Sequence, residues 1–212
     1  MIKDIDLSNR KIIDITIPLH SNMEIPSPTF KGFQFQWDVR IERGENRNRS
    51  SFRMESHLGT HVDAPLHFIP KGKSLDEMPL SHLIGEAQVI EVPYPQMITE
   101  DFLTTRVKGA RIVLFKFGNE RLDQKYPYFS PGGVNYLIKQ GIRVIGTDNY
   151  SVDSKTTEWK IHQLILGKEI IIVEGLLLDN VLPGIYGFIC LPLRIKGGEG
   201  SPARALLIEE YF

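Results

Sequence analysis

Three histidines and one aspartate lie within eleven residues of this chain, in the segment SHLGTHVDAPLHF (residues 56–68). The chain has six histidines in all, so half of them fall here. Neutral imidazole and carboxylate groups are the ligand types that suit zinc, manganese or iron(II). The residues His57, His61, Asp63 and His67 are therefore candidates for a metal site.

The spacing of these four residues favours an extended chain that bends. All four have odd numbers, so their side chains would share one face of a strand. A straight strand rises about 3.3 Å per residue, which would separate the first histidine from the last by roughly 33 Å. We therefore expect bends at Gly59 and Pro65 if the four converge. His61 and Asp63, two residues apart, should then form the closest pair and act as metal ligands.

A second pair of candidates lies downstream. His162 falls on a predicted helix, and Glu174 ends the apolar run IIIV at residues 170–173. An ionised carboxylate at the end of a buried strand is costly unless it is paired or bound to a metal. The two residues could complete a second metal position. Alternatively, His162 is a partly buried helix residue and Glu174 forms a structural ion pair.

Hydrophobic patterning predicts a mixed α/β domain with few helices. Helices are predicted at 99–103, capped by Thr99, at 130–140, capped by Ser130 and ended by Gly141, and at 158–166. A short turn is predicted at 79–84. Strands are predicted at residues 11–17, 33–41, 51–55, 87–92, 111–117, 142–147, 170–174, 187–193 and 203–211. We find no linker that divides the chain, and expect a single domain over residues 1–212.

The composition excludes several classes of partner. The formal net charge is −1, with 25 basic and 26 acidic residues, so neither nucleic acid nor an anionic membrane is favoured. No stretch is long and apolar enough to span a bilayer.

The single cysteine, Cys190, lies in an apolar run, which indicates a buried thiol and not a nucleophile. One cysteine forms no internal disulfide, and we expect a cytoplasmic protein.

The pattern HxGTHxDxPxH at residues 57–67 resembles the signature of the "putative cyclase" family, which includes bacterial kynurenine formamidases (arylformamidases) and isatin hydrolases. The segments GTD (146–148), SVD (151–153) and EG (174–175), together with His162, are similar to a second block of that family. The segments LPL (191–193) and GSPAR (200–204) are similar to its C-terminal block. One departure concerns the substrate, because Ser154 stands where the formamidases often have proline.

The resemblance implies a swivelling β/β/α domain, usually oligomeric, so that a homo-oligomer (dimer or tetramer) is expected. It implies a metal centre with two Zn²⁺ ions, or Mn²⁺ as the alternative. By position, His57, His61 and Asp63 are similar to the ligands of one metal. Asp63 would bridge to a second metal held by His162 and Glu174. His67 is similar to the acid/base histidine of the family.

The expected function is hydrolysis of a small aryl amide, with N-formylkynurenine as the best guess. The metal would activate water to attack the carbonyl, and His67 would deliver a proton to the leaving nitrogen. A cyclic amide such as isatin, or a carbamate, is an alternative substrate, and a non-catalytic metal-binding protein is an alternative function. Six aromatic residues are candidates for a substrate pocket: Phe30, Phe33, Trp37, Tyr126, Tyr128 and Phe129.

Overall fold

The computed structural model describes residues 10–25, 27–93, 96–118, 129–154 and 156–209. The strands are β1 (Ile12–Asp14), β2 (Gln34–Val39), β3 (Arg49–Arg53), β4 (His61–Asp63), β5 (Ile84–Glu91), β6 (Ile112–Lys116), β7 (Val144–Thr147), β8 (Ile171–Glu174), β9 (Gly184–Pro192) and β10 (Gly200–Ile208). The helices are α1 (Glu100–Thr104), α2 (Pro131–Lys139) and α3 (Lys160–Leu166). Four short 3-10 turns accompany them, at Ile41–Arg43, Pro65–His67, Leu75–Glu77 and Leu80–His82.

The main sheet closes on itself into a barrel. Its strand order is β10-β4-β8-β7-β6-β5-β9, and β9 pairs back onto β10, which makes seven strands in the ring. The pairs β5–β6, β6–β7 and β7–β8 are parallel, whereas β4 is antiparallel to both of its neighbours, β10 and β8. β1 pairs with the far end of β10. The expected mixed sheet with few helices, a swivelling β/β/α domain, is confirmed.

Alternate residues of the central strands pack into two different cores. In β6, Ile112 and Leu114 belong to the cluster that fills the barrel. Their neighbours Val113 and Phe115 belong to a second cluster, which includes residues of all three helices. Strands that are buried on both faces read as unbroken apolar runs, which is why β6 and β8 stand out in the sequence.

The predicted helices are present, with one shift of boundary. The side chain of Ser130 accepts a hydrogen bond from the Gly133 amide at the start of α2, and Thr99 caps α1 in the same way. Helix α3 begins at Lys160 and not at the predicted residue 158, because Glu158 and Trp159 have φ values of +52° and +65°. The longest helix in the described ranges has nine residues, and none of them could cross a membrane.

The predicted strands also occur, and three features differ from the prediction. β4 lies inside the histidine-rich segment and has only three residues, which is too short to show the periodic pattern of a strand. β5 begins at Ile84, which shortens the predicted turn at 79–84 to the 3-10 turn Leu80–His82. β2 and β3 form a separate two-stranded ribbon whose residues are mostly exposed. The predicted end of the last strand, residues 210–211, lies outside the described residues.

Candidate metal centre

The centre of the candidate site lies on β4 and β8. His61 and Asp63 are two residues apart on β4, so they share one face, while Val62 between them points into the barrel core. The register of the antiparallel pair sets His61 directly opposite Glu174, the last residue of β8. As a result, Nε2 of His61 lies 3.4 Å from Oδ1 of Asp63 and 3.4 Å from Oε2 of Glu174. All three side chains are buried.

The chain bends on both sides of β4, at the two predicted positions. Gly59 has a φ of +69°, a left-handed conformation that glycine adopts without steric cost. This bend returns His57 to the cluster, where its Nδ1 lies 2.8 Å from Oδ1 of Asp63. His57 is thus closer to Asp63 than His61 is, which differs from the expected pairing. Pro65 begins the 3-10 turn Pro65–His67, which is the second bend.

The third histidine of the motif lies against the first. The rings of His57 and His67 stack with their centroids 4.0 Å apart and their planes 23° from parallel. The ring centroid of His67 is also 6.0 Å from that of His162. The bent segment therefore brings all four predicted residues to one place, although His67 packs against histidine rings and forms no hydrogen bond or ion pair with a carboxylate in the described ranges.

Helix α3 adds the remaining predicted residue. Nε2 of His162 lies 3.6 Å from Oδ2 of Asp63 and 3.3 Å from Oε1 of Glu174. The cluster then divides into two groups of possible ligands: His57, His61 and Asp63, and Asp63, His162 and Glu174. Asp63 belongs to both groups, and its two oxygens face different histidines. This is the arrangement of a carboxylate that could bridge two cations.

The donor set fits a divalent metal. Nε2 of His61 and Oδ2 of Asp63 are buried and have no hydrogen-bond partner among the described residues, which is costly unless another group satisfies them. Ligands about 2.1 Å from a tetrahedral zinc ion lie about 3.4 Å from one another. The imidazole–carboxylate separations of His61 and His162 are 3.3 to 3.6 Å, too long for hydrogen bonds and suited to ligands of a shared ion.

Hydrogen bonds on the far side of two rings direct their lone pairs inward. Nδ1 of His61 donates to the carbonyl of Gly59 at 2.9 Å, and Nδ1 of His162 donates to Oδ2 of Asp153 at 2.5 Å. With the proton on Nδ1, the Nε2 atom of each ring presents a lone pair to the carboxylates. Metal-binding histidines in proteins are oriented by partners of this kind.

The segment Ser151–Asp153 explains part of the resemblance seen in the sequence. The amide of Val152 donates to Oε1 of Glu174 at 2.7 Å, which holds that carboxylate in place. Asp153 accepts hydrogen bonds from the amides of Ile161 and His162 as well as from the His162 ring. The sequence predicts no separate role for Asp153, because nothing in its spacing from His162 shows that the two residues meet.

The electrostatics of the cluster favour positive charge between the carboxylates. Burial by itself lowers the pKa of His61, but Asp63 and Glu174 raise that pKa to about 9. Burial raises the pKa of Asp63, yet the neighbouring imidazoles, first His162 and then His57, hold that pKa well below the usual range. The His162 pKa is raised well above its ordinary value, because the nearby carboxylates, first Glu174, outweigh burial. A metal cation between these carboxylates would be stabilised by the same negative charge.

His67 differs from the other histidines in charge. The pKa of His67 is lowered to about 4, mainly by burial and also by the neighbouring His57 and His162, which together outweigh the opposing effect of Asp63. Its ring is therefore neutral at physiological pH and can accept a proton, whereas an unperturbed histidine titrates near about 6.5.

Aromatic side chains beside the cluster differ from the six expected. Phe68 lies with its ring centroid 4.7 Å from that of His162, and Trp159 lies 5.8 Å from the same ring. Phe68 directly follows His67, and Trp159 lies three residues before His162. Their positions in the sequence, next to predicted site residues, therefore indicate that both rings lie near the cluster. Together we call Phe68 and Trp159 the aromatic wall.

The expected aromatic residues are placed elsewhere or are not described. Phe129 is fully buried against Phe115, so its expected place in a pocket is wrong. Phe33 and Trp37 belong to the cluster of rings on the β2–β3 ribbon, and no ring contact joins them to the histidines within the described ranges. Phe30 is half-buried. Tyr126 and Tyr128 lie outside the described residues.

The chain is similar to known proteins over most of its length. A kynurenine formamidase of Salinibacter ruber is 37% identical over 183 residues, which cover 82% of this chain and 86% of the relative. Among solved structures, a potential metal-dependent hydrolase with cyclase activity is 26% identical, with a TM-score of 0.78 over 95% of this chain and 98% of the other. An isatin hydrolase bound to the product analogue thioisatinate shares the fold, with a TM-score of 0.80 at 21% identity over 94% and 92% of the two chains.

The family model described as "Putative cyclase" matches residues 13–154, more than half of the chain. This range includes the HxGTHxDxPxH segment and Asp153, while His162 and Glu174 follow it. The chain therefore belongs to the cyclase family.

Proposed function

We propose that the chain is a metal-dependent hydrolase that cleaves the carbon–nitrogen bond of a small aryl amide. The observation that carries this proposal is the pair of ligand groups that share Asp63, with a neutral histidine, His67, beside them. The kynurenine formamidase relative makes N-formylkynurenine the substrate to test first.

In this proposal, His57, His61 and Asp63 hold one cation, and Asp63, His162 and Glu174 hold a second. Zinc is favoured and Mn²⁺ is the alternative, since imidazole and carboxylate ligands suit both ions. A divalent cation in such a site polarises a carbonyl oxygen and lowers the pKa of water toward neutrality. We propose both the identity of the metal and the presence of two ions.

His67 is the proposed acid/base residue. Its neutral ring accepts the proton of the attacking water and then delivers that proton to the leaving nitrogen, because an amide anion is a poor leaving group. Burial lowers the pKa of the ring and so keeps it in the neutral form that can accept a proton. The stack on His57 holds the ring at the edge of the cluster.

The aromatic wall supports an aryl substrate. The rings of Phe68 and Trp159 lie 5.6 Å apart, and Trp159 is 56% exposed, so its surface is open to a ligand. Aromatic rings favour offset or edge contacts with another ring at such distances. An aryl amide could therefore pack on the wall while its carbonyl reaches the cluster.

The decisive experiment combines metal analysis with a substrate panel. Purified protein is analysed for bound metals and then incubated with N-formylkynurenine and with isatin, each followed by absorbance. We expect a bound divalent metal, hydrolysis of formylkynurenine, and loss of activity with a chelator that added metal restores. Faster opening of isatin would assign the chain to cyclic amides, and bound metal without hydrolysis of any amide or carbamate would identify a non-catalytic metal protein.

We also propose that the chain forms a homo-oligomer, dimer or tetramer, through the β2–β3 ribbon. Phe35, Trp37 and Phe52 on the ribbon are 43%, 42% and 60% exposed, and exposed aromatic patches often mark protein contacts. Light scattering after size exclusion tests this proposal, and a monomer at micromolar concentration would contradict it.

Hydrolysis through a cysteine is not part of the proposal. Cys190 is buried in β9, and burial raises the pKa of its thiol to about 12, which leaves the thiolate form unpopulated. A single buried thiol is compatible with the proposed cytoplasmic location, where disulfides are rare.

A further inference from the structure

One histidine of the cluster is oriented differently from the other two candidate ligands. His61 and His162 each donate through Nδ1 to an acceptor outside the cluster, which turns Nε2 toward the carboxylates. In His57 the two ring nitrogens have the opposite orientation. Its Nδ1 faces the cluster, 2.8 Å from Oδ1 of Asp63, and its Nε2 points away from it.

The outward nitrogen of His57 meets a carboxylate that the family resemblance did not include. Nε2 of His57 lies 3.2 Å from Oε1 of Glu199, the residue that directly precedes β10. His57 is therefore placed between two carboxylates, one on each ring nitrogen. A neutral imidazole carries one N–H group, so it can donate to only one of them.

Other contacts fix the position of the ring without deciding which nitrogen carries the proton. The stack on His67 sets the plane of the ring. A Cβ atom added at Gly200 would lie 2.5 Å from Cε1 of His57, so the backbone of β10 touches the ring edge. Among the described residues, Asp63 and Glu199 are the hydrogen-bond partners of the two ring nitrogens, so these carboxylates decide which nitrogen carries the proton.

Glu199 is oriented by contacts of its own. The hydroxyl of Ser56 donates to Oε1 of Glu199 at 2.6 Å, and the amide of Ala64 donates to the backbone carbonyl of Glu199 at 2.9 Å. These bonds attach Glu199 to the two residues that flank the segment 57–63. The carboxylate therefore stays beside His57 although its side chain is 42% exposed.

We propose that Glu199 is a positioning residue that holds the His57 proton on Nε2, so that Nδ1 presents its lone pair to the metal shared with His61 and Asp63. This inference rests on the proposed function, because it requires a metal at the first group. It assigns the ligand atom of His57 as Nδ1, in contrast to Nε2 for His61 and His162.

The first test measures metal affinity in the 212-residue chain. Zn²⁺ binding is titrated against a chromogenic chelator in the unmodified chain and in the variants Glu199→Ala, Glu199→Gln and Glu199→Asp. Loss of a carboxylate that orients a metal-binding histidine weakens metal binding by roughly 10- to 100-fold. We expect that loss for Glu199→Ala, a smaller loss for Glu199→Gln, and the smallest for Glu199→Asp, which keeps the charge.

Glu209→Ala is the matched control. Glu209 directly follows β10 as Glu199 precedes it, and it pairs at the surface with Lys11 at 2.8 Å. The control should bind Zn²⁺ as the unmodified chain does. Thermal unfolding of each metal-free variant separates a loss of metal affinity from a loss of fold.

The second test reads the tautomers directly. Long-range ¹H–¹⁵N spectra of the zinc-loaded protein, labelled on histidine, should show one ligating ring protonated on Nε2 and two protonated on Nδ1. The Nε2-protonated pattern should disappear in Glu199→Ala. Three rings protonated on Nδ1, or an unchanged spectrum and unchanged affinity in Glu199→Ala, would overturn the inference.

Failure of this inference can be distinguished from failure of the proposed function. If the unmodified chain binds no divalent cation, the proposed function and this inference both fall. If the unmodified chain binds Zn²⁺ and hydrolyses an amide while Glu199→Ala and Glu209→Ala bind Zn²⁺ equally well, only the role of Glu199 falls.

Discussion

His61 and Glu174 face each other across the β4–β8 pair, with Nε2 of His61 3.4 Å from Oε2 of Glu174. The two residues are 113 positions apart in the chain, and strand register alone brings them together. A slip of one residue would turn one of the two side chains to the opposite face of the sheet. The geometry of the candidate centre therefore depends on the register of these two short strands.

Replacing Asp63 should empty both metal positions. Asp63 is the residue that the two ligand groups share, so Asp63→Ala removes a ligand from each. We expect less than one metal per chain by elemental analysis and no measurable hydrolysis. Asp101→Ala, an exposed position on α1, serves as the control and should keep its metal. Full metal content in Asp63→Ala would contradict the bridging role.

Replacing His67 should separate catalysis from metal binding. Because His67 stacks on the ring of His57 and forms no hydrogen bond or ion pair with a carboxylate of the described residues, His67→Ala should keep its metal. We expect turnover to fall by roughly 10²- to 10⁴-fold, the usual contribution of a general acid–base group. Parallel measurements of kcat and metal content test this prediction. Loss of metal in this variant would show that His67 is a ligand.

Replacing Trp159 should weaken the binding of aryl amides. Trp159 supplies the exposed part of the aromatic wall, and an aromatic contact contributes about 0.5 to 1.5 kcal/mol. We expect KM for an aryl amide to rise by about 2- to 10-fold in Trp159→Ala, with kcat nearly unchanged. Leu182→Ala, at an apolar side chain that is 75% exposed, serves as the control. Equal effects of the two substitutions on KM would argue against the wall.

Metal affinity should rise with pH. In the metal-free protein the carboxylates raise the pKa of His61 to about 9, against the effect of burial. Below that pH the ring holds a proton on Nε2 that the metal must displace, so binding releases a proton and is weaker at lower pH. The apparent Zn²⁺ affinity should increase by up to about tenfold per pH unit for each displaced proton, and level off above about pH 9.

Calorimetry in two buffers of different ionisation enthalpy checks that prediction, since it counts the protons released on binding. We expect about one proton or more per Zn²⁺ at pH 7. No proton release and an affinity independent of pH would mean that His61 is already unprotonated before the metal binds.

Much of the candidate site could be predicted from the sequence because its residues are close together in the chain. His57, His61, Asp63 and His67 lie within eleven residues, and the bends at Gly59 and Pro65 follow from the conformational preferences of glycine and proline. His162 and Glu174 were found through resemblance and through the cost of burying a carboxylate. The apolar runs of β6, β7 and β8 were visible because both of their faces are buried.

Residues that act on the cluster from a distance could not be predicted in this way. Glu199 meets His57 across 142 positions, and Asp153 meets the ring of His162 only after the turn that precedes α3. The aromatic residues expected in a pocket were chosen by type, and Phe129 proved to be in the core. Residue type shows that a ring is apolar, but packing decides which surface it covers.

The sequence by itself determined the ligand types, the two bends and the apolar runs that form the central strands, since these depend on residues a few positions apart. The tertiary structure alone decided that β9 pairs back onto β10 and that Glu174 lies opposite His61. It also decided which nitrogen of each histidine faces the carboxylates. The physical reason is that strand register and the direction of a hydrogen bond are set by partners far away in the chain, which local preferences do not encode.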